Sequence, residues 1–546
     1  MNTKSRFSAT QILLLLILVL FAGYLVTIFW INMNGPQWYN YDLYADSMVA
    51  RYMVESRSLF PDQWVFGNQF YVVATPVLSA LFYSLTGSTT LSLSLASCTM
   101  TVLVVLSFAW CLKPYVSKQS ILVGLLCLIG GTLFNTNAAT SEDGLQVFYT
   151  MGSYYACYII GIFFTLGIWM RLHQNQKVNP LLMCLCFLIN LALGMQSLRE
   201  MLVLILPLGA LIVFLILVDF FKRKTEPFRF FTKDRIFALA MFVASAAGYV
   251  LIKVLVKTIP IHQYSILQNV RPSLAENALL SVQAFLDYTG IIKMYSQPEI
   301  FEIICAVFTF AVVGYAAVSL LASRKISPMF CLVGFCVISI AAVLCAGVIK
   351  IYTRPIYYFV WHILVAFSFV YAFEKLSDRI PLRSIVLTCL ILIAGINGYY
   401  HFHTPMEEQR GHDRFYQDIA DTLHEEGITT LFYDEASFFE APSIAAYSDD
   451  RIICAAFFMH PDAQDTSNFL SYISYLCNTQ WFYPEDMENS YLMMSGRRLD
   501  YLETYTSEAY REALFSHLTL KHHFTHADKD YYLYTFDAHL YHDMMH

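Results

Sequence analysis

The sequence predicts a polytopic α-helical membrane protein of about 11 transmembrane helices carrying a soluble α/β domain at its C-terminal end. Three observations predict it. Of 546 residues, 57% are hydrophobic and 14% charged, with a mean hydropathy of +0.51, whereas soluble domains run near ~45–50% apolar and ~25% charged. Apolar runs of span length recur through the first 402 residues. The charge is also divided, with 26 Lys and Arg against 16 Asp and Glu in residues 1–402, and 8 against 25 in residues 403–546. The same composition excludes a disordered or collagen-like chain, and a net charge of -7 with a pI near 6.1 excludes a basic nucleic-acid-binding surface.

Apolar stretches close to the ~20 residues that a bilayer crossing requires begin near Gln11, Leu91, Ile121, Met151, Leu181, Met201, Ile236, Ile303, Met329, Ile356 and Ser384. The first has Lys4 and Arg6 ahead of it and no small-residue cleavage site after it, which reads as an uncleaved anchor. Basic residues sit in every second gap, at Lys113/Lys118, Arg171/Lys177, 222–235, Arg324/Lys325 and Lys375/Arg379/Arg383. Because Lys and Arg beside spans stay on the cytoplasmic side, these gaps and the N-terminus are placed inside. Parity then closes only if residues 71–87 do not fully cross. The outward pieces are residues 33–90, 136–150, 196–200, 257–302, 350–354 and the acidic C-terminal body, in a multi-pass plasma-membrane protein. Eleven of the 13 cysteines fall in residues 1–402, mostly inside apolar runs, which points to buried thiols and to no disulfide framework.

In the first outward loop, Tyr44, Met48, Val49, Tyr52 and Met53 recur at helical spacing over residues 41–56, predicting an amphipathic helix in the membrane interface. Asp42 and Asp46 are four apart and share one face of it. Two neighbouring carboxylates at a water–lipid boundary suit proton abstraction or metal binding, since repulsion and partial desolvation raise one pKa. The plainer expectation is that they solvate the helix's polar face.

The stretch YDLYADSMVARYMVESRSLFPDQW, followed by an apolar run ending in Leu-Thr-Gly, resembles the start of the GT-C superfamily. This superfamily comprises polyprenyl-phosphate-sugar-dependent glycosyltransferases such as the protein mannosyltransferases and the lipid A aminoarabinose transferases. Their first outer loop opens with an essential Asp, continues into an A-R-x-M-x-E-S type helix and a Pro turn, and leads to a juxtamembrane apolar helix. With residues 50–56 on that helix, the resemblance places Asp42 on the catalytic acid and residues 71–87 on the juxtamembrane helix. The chain departs from the pattern at Asp42-Leu43, where some branches carry Asp-Glu, and at Pro76, where the juxtamembrane helix often has a proline pair.

The resemblance implies an anionic lipid-phosphate leaving group, for which a planar guanidinium is the natural partner. Arg199 in GMQSLREM and Arg354 in IKIYTRPIYYFVWH stand at outer span ends, against the positive-inside bias, with Lys350 a third substrate-binding candidate. The alternative for these arginines is an interfacial snorkelling side chain or an ion pair with Glu200. Glu142 and Asp143 are an acid pair in the next outer loop, where some relatives bind a divalent metal; no cofactor is otherwise implied. His262 is a lone loop histidine with a solvated reading.

Residues 403–546 read as an amphipathic helix, a strand (ITTLFYD), a second strand (RIICAAFF), a helix over 508–515, and a hairpin of LKHHFTH with KDYYLYTFD. His522, His523 and His526 alternate faces in that strand, which argues against a shared metal. The expected function is transfer of a sugar from a polyprenyl-phosphate carrier to a glycan, lipid or protein acceptor at the outer membrane face. An O-antigen-type glycan polymerase and a lipid-sugar flippase or transporter remain as alternatives. Transporters carry repeats and midplane charges that are not evident here.

Overall fold

The computed structural model describes residues 9–34, 41–129, 152–221, 231–259, 261–263, 273–291, 300–323, 325–349, 354–376, 380–434, 440–448, 451–459, 469–472, 476–482, 487–526 and 529–540. The first body is a helical bundle whose members follow the apolar runs. They are α1 (Ala9–Asn34), α4 (Thr89–Leu112), α5 (Lys118–Ile129), α6 (Gly152–His173), α7 (Pro180–Gln196), α8 (Leu206–Phe221), α9 (Lys233–Thr258), α11 (Ile300–Ala322), α12 (Pro328–Ile349), α13 (Val360–Lys375) and the start of α14 (Ile380–Glu425). Among the described residues, eight helical segments are long and apolar enough to cross a membrane. The segments predicted from Ile121, Leu181 and Ser384 appear among the described residues as shorter apolar helical stretches, Lys118–Leu128, Pro180–Gln196 and Leu382–Ile396.

Residues 71–87 hold a 12-residue helix, α3 (Thr75–Thr86), closed at Gly87 in the left-handed conformation (φ 68°). At ~1.5 Å per residue it rises ~18 Å, short of a ~30 Å hydrocarbon core. The predicted amphipathic helix is α2 (Tyr41–Glu55). Its apolar stripe is buried, but against protein rather than lipid: Tyr44 lies on Trp481, and Tyr52 contacts Trp64 and Trp481.

The closest helix crossing brings α7 onto α9. A Cβ on Gly248 would stand 2.0 Å from Leu191 O, and one on Gly194 2.2 Å from Ser245 O. Only glycine at these two positions lets the backbones meet. At one end of the bundle the alternate connections are tied together. Ser117 and Ser120 donate to Glu374, Arg171 donates to Trp110 O and lies over its ring, and His173 pairs with Asp234 at 2.8 Å. The first loop, the turn between α7 and α8, and the segment after α9 meet at the opposite end.

The C-terminal body is an α/β layer. Its six-stranded sheet has the order β5-β4-β3-β7-β9-β8, built from β3 (Thr430–Asp434), β4 (Ile453–Met459), β5 (Leu470–Tyr472), β7 (Ser490–Ser495), β8 (Leu518–His526) and β9 (Lys529–Phe536). β4, β3 and β7 run parallel, and every residue of β3 and β7 is buried, as expected of strands covered on both faces. Helices α15 (Glu440–Tyr447), α16 (Gly496–Tyr505) and α17 (Glu508–Ser516) accompany the sheet. The hairpin of β8 with β9 is the one the sequence predicts. The predicted boundary at residues 402/403 falls inside the unbroken helix α14.

A second, three-stranded sheet joins distant parts of the chain in the order β2-β1-β6. It pairs β1 (Trp64–Phe66) of the first loop with β2 (His262–Gln263) and β6 (Cys477–Asn478). The remaining described helix, α10 (Leu274–Tyr288), packs on α12.

Candidate functional site

Where the first loop, the α7–α8 turn, α9, β2 and α12 converge, they enclose a cavity of about 260 Å³. The α7–α8 turn supplies its positive wall. Gln196, the last residue of α7, accepts the Phe70 N–H on its main-chain oxygen (2.9 Å) and the Val73 N–H on its side-chain oxygen (3.2 Å). Its amide nitrogen donates to the Tyr158 hydroxyl (3.2 Å) and to Cys157 Sγ (3.3 Å). One buried side chain thus pins the first loop to two helices.

Arg199 follows three residues later and lines the cavity. Its guanidinium lies 4.7 Å from the Tyr155 ring, 5.0 Å from Tyr357 and 5.7 Å from Tyr158, and Nη1 donates to Gln69 Oε1 at 3.3 Å. Three rings and one amide hold a planar cation by its faces and one edge. Glu200 is fully buried and accepts from Ser245 Oγ on α9, so it does not form the ion pair with Arg199 that the sequence allowed. A π-helical turn (Met201–Ile205) follows, and such insertions re-aim side chains.

Lys253 of α9, near the Tyr249 ring, also lines the cavity. Leu202, Val203, Ile252 and Val343 form the apolar part of the lining, and Asn68, Gln263 and Tyr357 add neutral polar groups. Among the described residues, two cations and no carboxylate line the space. A long apolar wall under two positive charges fits an anionic headgroup on a hydrocarbon chain.

The other predicted site residues fall as follows. Asp42 lies in the first turn of α2, and its side chain is outside the described residues. Asp46, one turn on, is buried at 1% exposure, so it does not solvate a polar face. Asp46 does not line the cavity. Arg354 is half-buried and precedes the 3-10 turn Pro355–Tyr358, its carbonyl accepting the N–H of the cavity residue Tyr357 at 3.1 Å. Lys350, Glu142 and Asp143 lie outside the described residues, and among the described ones no group of three His, Cys, Asp or Glu is arranged to hold a metal. His262 is exposed on β2, and its neighbour Gln263, which donates to Gly67 O at 3.1 Å, lines the cavity instead. In the C-terminal hairpin, His522 meets Glu426 and His523 meets Asp530, each at 2.8 Å, and His526 stacks on Phe415.

Lys253 escaped the sequence reading, although the argument applied to Arg199 also covers it. In IKVLVKT it is a cation within a span, near the end opposite the basic connections.

No family model and no curated protein sequence matches this chain. Solved structures that share its fold include two crystal structures of ArnT from Cupriavidus metallidurans, one bound to undecaprenyl phosphate and one in the apo state. Each is 11% identical, covers 94% of this chain and 97% of that chain, and superposes with a TM-score of 0.54. The fold of this chain, helical bundle and C-terminal strand-containing body together, is therefore the one these crystal structures show.

Proposed function

We propose that this protein is a GT-C-type glycosyltransferase that moves a sugar from a polyprenyl-phosphate carrier to a glycan, lipid or protein acceptor at the outer face of the cell membrane. The observation that carries the reading is the cavity itself, which Arg199 and Lys253 line together with apolar side chains and, among the described residues, no carboxylate. In the reaction, an acceptor hydroxyl oxygen attacks the anomeric carbon as the bond from that carbon to the phosphate oxygen breaks. The bonding electron pair leaves on the phosphate, and the hydroxyl proton passes to a carboxylate. Arg199 and Lys253 stabilise the charge that grows on the leaving phosphate, the role that preorganised cations perform best. Arg354, whose carbonyl accepts the Tyr357 N–H, and Lys350 serve the same anion. Asp42 takes the proton as general base, with Asp46 as its buried acidic neighbour. Glu142 and Asp143 are held in reserve as ligands for a divalent metal.

Asp42→Asn keeps the shape of the side chain and removes the proton-accepting oxygen. It is expected to lower transfer by at least ~100-fold, the usual scale of general base catalysis, with undecaprenyl phosphate still bound in native mass spectra. Full transfer by this variant sinks the assignment. Failure of the parent protein to retain undecaprenyl phosphate at all, with Arg199→Gln and Lys253→Gln indistinguishable from it, sinks the donor class.

A further inference from the structure

The C-terminal body reaches back into the first loop, and it does so with specific groups. β6 pairs antiparallel with β1, Trp64 opposite Asn478 and Val65 opposite Cys477. The Thr479 N–H donates to Gln63 O at 2.9 Å, and the Thr479 hydroxyl donates to Gln63 Oε1 at 2.8 Å. The short turn that follows (Thr479–Phe482) sets the buried Trp481 against α2. Its indole N–H donates to the Tyr52 hydroxyl at 2.8 Å, and its ring centroid lies 5.7 Å from Tyr44, 6.3 Å from Tyr52 and 5.7 Å from Trp64, the last nearly perpendicular. A second link from the same body is the Cys454 N–H, which donates to the Tyr44 hydroxyl at 3.1 Å.

β1 therefore has two edges with different duties. One carries β6 and the indole that fixes α2. The other carries β2, whose Gln263 lines the cavity. The helix with the two acids and the cavity with the two cations are connected through one strand, and the C-terminal body supplies the third strand that completes the sheet.

We propose that Trp481 is a positioning residue through which the C-terminal body sets the placement of α2 relative to the Arg199–Lys253 cavity. The proposal rests on the reading above that α2 carries the reacting acids. Trp481 does not line the cavity; it acts through Tyr44, Tyr52 and Trp64. Because a small misplacement of reacting groups costs on the order of a hundredfold in rate, a contact at this distance from the cavity governs turnover while leaving donor binding alone.

The test uses the full-length protein with spin labels on cysteines introduced at Ser56, just beyond α2, and Lys257, near the end of α9, both exposed. Pulsed dipolar spectroscopy then reads their separation. Trp481→Ala is expected to broaden the distance distribution, with undecaprenyl phosphate affinity held within about twofold, the tolerance of independent sites. In transfer assays Trp481→Phe, which keeps a ring and loses the N–H, lowers kcat by about tenfold or more at unchanged KM for the donor. Tyr52→Phe has the same effect, and the double variant is no worse than either single one. If Trp481→Ala does not fold, the two Phe variants carry the test. A distribution and kcat unchanged in folded variants, with only the melting temperature lowered, overturn the proposal. Full activity of Asp42→Asn refutes the acid assignment instead and leaves the distance result standing, so the two failures are told apart.

Discussion

Replacing Arg199 by Lys keeps the charge in the cavity and removes the shape. In the parent protein the guanidinium faces Tyr155, Tyr158 and Tyr357 at 4.7–5.7 Å and spends one N–H on Gln69. An ammonium is attracted to the same rings, at ~0.5–1 kcal/mol for a partly hydrated cation–π contact, but it cannot lie flat among three of them. It also meets a phosphate as a point charge, without the second prong of a fork. A hydrogen bond to a charged group contributes ~1.5–3 kcal/mol. Losing one such bond together with part of the stacking amounts to about 2–3 kcal/mol, or ~30- to 150-fold in affinity. Undecaprenyl phosphate titrated into detergent-purified Arg199→Lys, read by native mass spectrometry, should therefore bind ~30- to 150-fold more weakly than to the parent. Arg199→Gln, which also removes the charge, should be weaker again. Affinity within threefold of the parent for Arg199→Lys refutes the reasoning, because a snorkelling cation needs only a long stem and a charged tip.

Gln196→Leu strands the Val72 and Val73 N–H groups that now share one amide oxygen, and each unsatisfied buried donor costs ~1–3 kcal/mol; a lowered melting temperature with loss of undecaprenyl phosphate binding is expected, and an unchanged one removes Gln196 from its pinning role. Glu426 accepts a hydrogen bond from the Tyr491 hydroxyl and pairs with His522, and these contacts, the Tyr491 one foremost, hold its carboxyl below the ordinary carboxylate range although burial opposes them. Its stabilising contribution is therefore full above the unfolded carboxylate pKa of ~4.3 and is lost as pH falls through the lower folded value, so Glu426→Gln should flatten the acid limb of thermal stability below about pH 5; because the group is a third exposed the effect is small, and an unaltered pH profile rules it out. For orientation, a cysteine at the exposed Ser516 should react with a membrane-impermeant maleimide in intact cells and one at the exposed Lys118 should not; the reverse pattern inverts the topology.

Much of this architecture was legible residue by residue, because hydropathy over some twenty positions and the period of an amphipathic helix are local properties. The starts of the long spans, the extent of α2, the short helix inside residues 71–87 and the β8–β9 hairpin needed no knowledge of distant neighbours. Arg199 announced itself as a cation at the wrong end of a span. Tertiary structure decided the rest. Periodicity shows which face of α2 is buried but not what covers it, and the covering is Trp481, 429 residues from Tyr52 in sequence, where a lipid surface was expected. Charge composition divides the chain at residue 402, yet the backbone of α14 continues through that point, since helix continuity depends on hydrogen bonds four residues apart and not on net charge. That Lys253 and Arg199 line one cavity depends on two glycines, Gly194 and Gly248, letting α7 and α9 approach until their backbones touch. No local pattern encodes a crossing between two helices. Only the packed bundle could place those two cations in the lining of the same space.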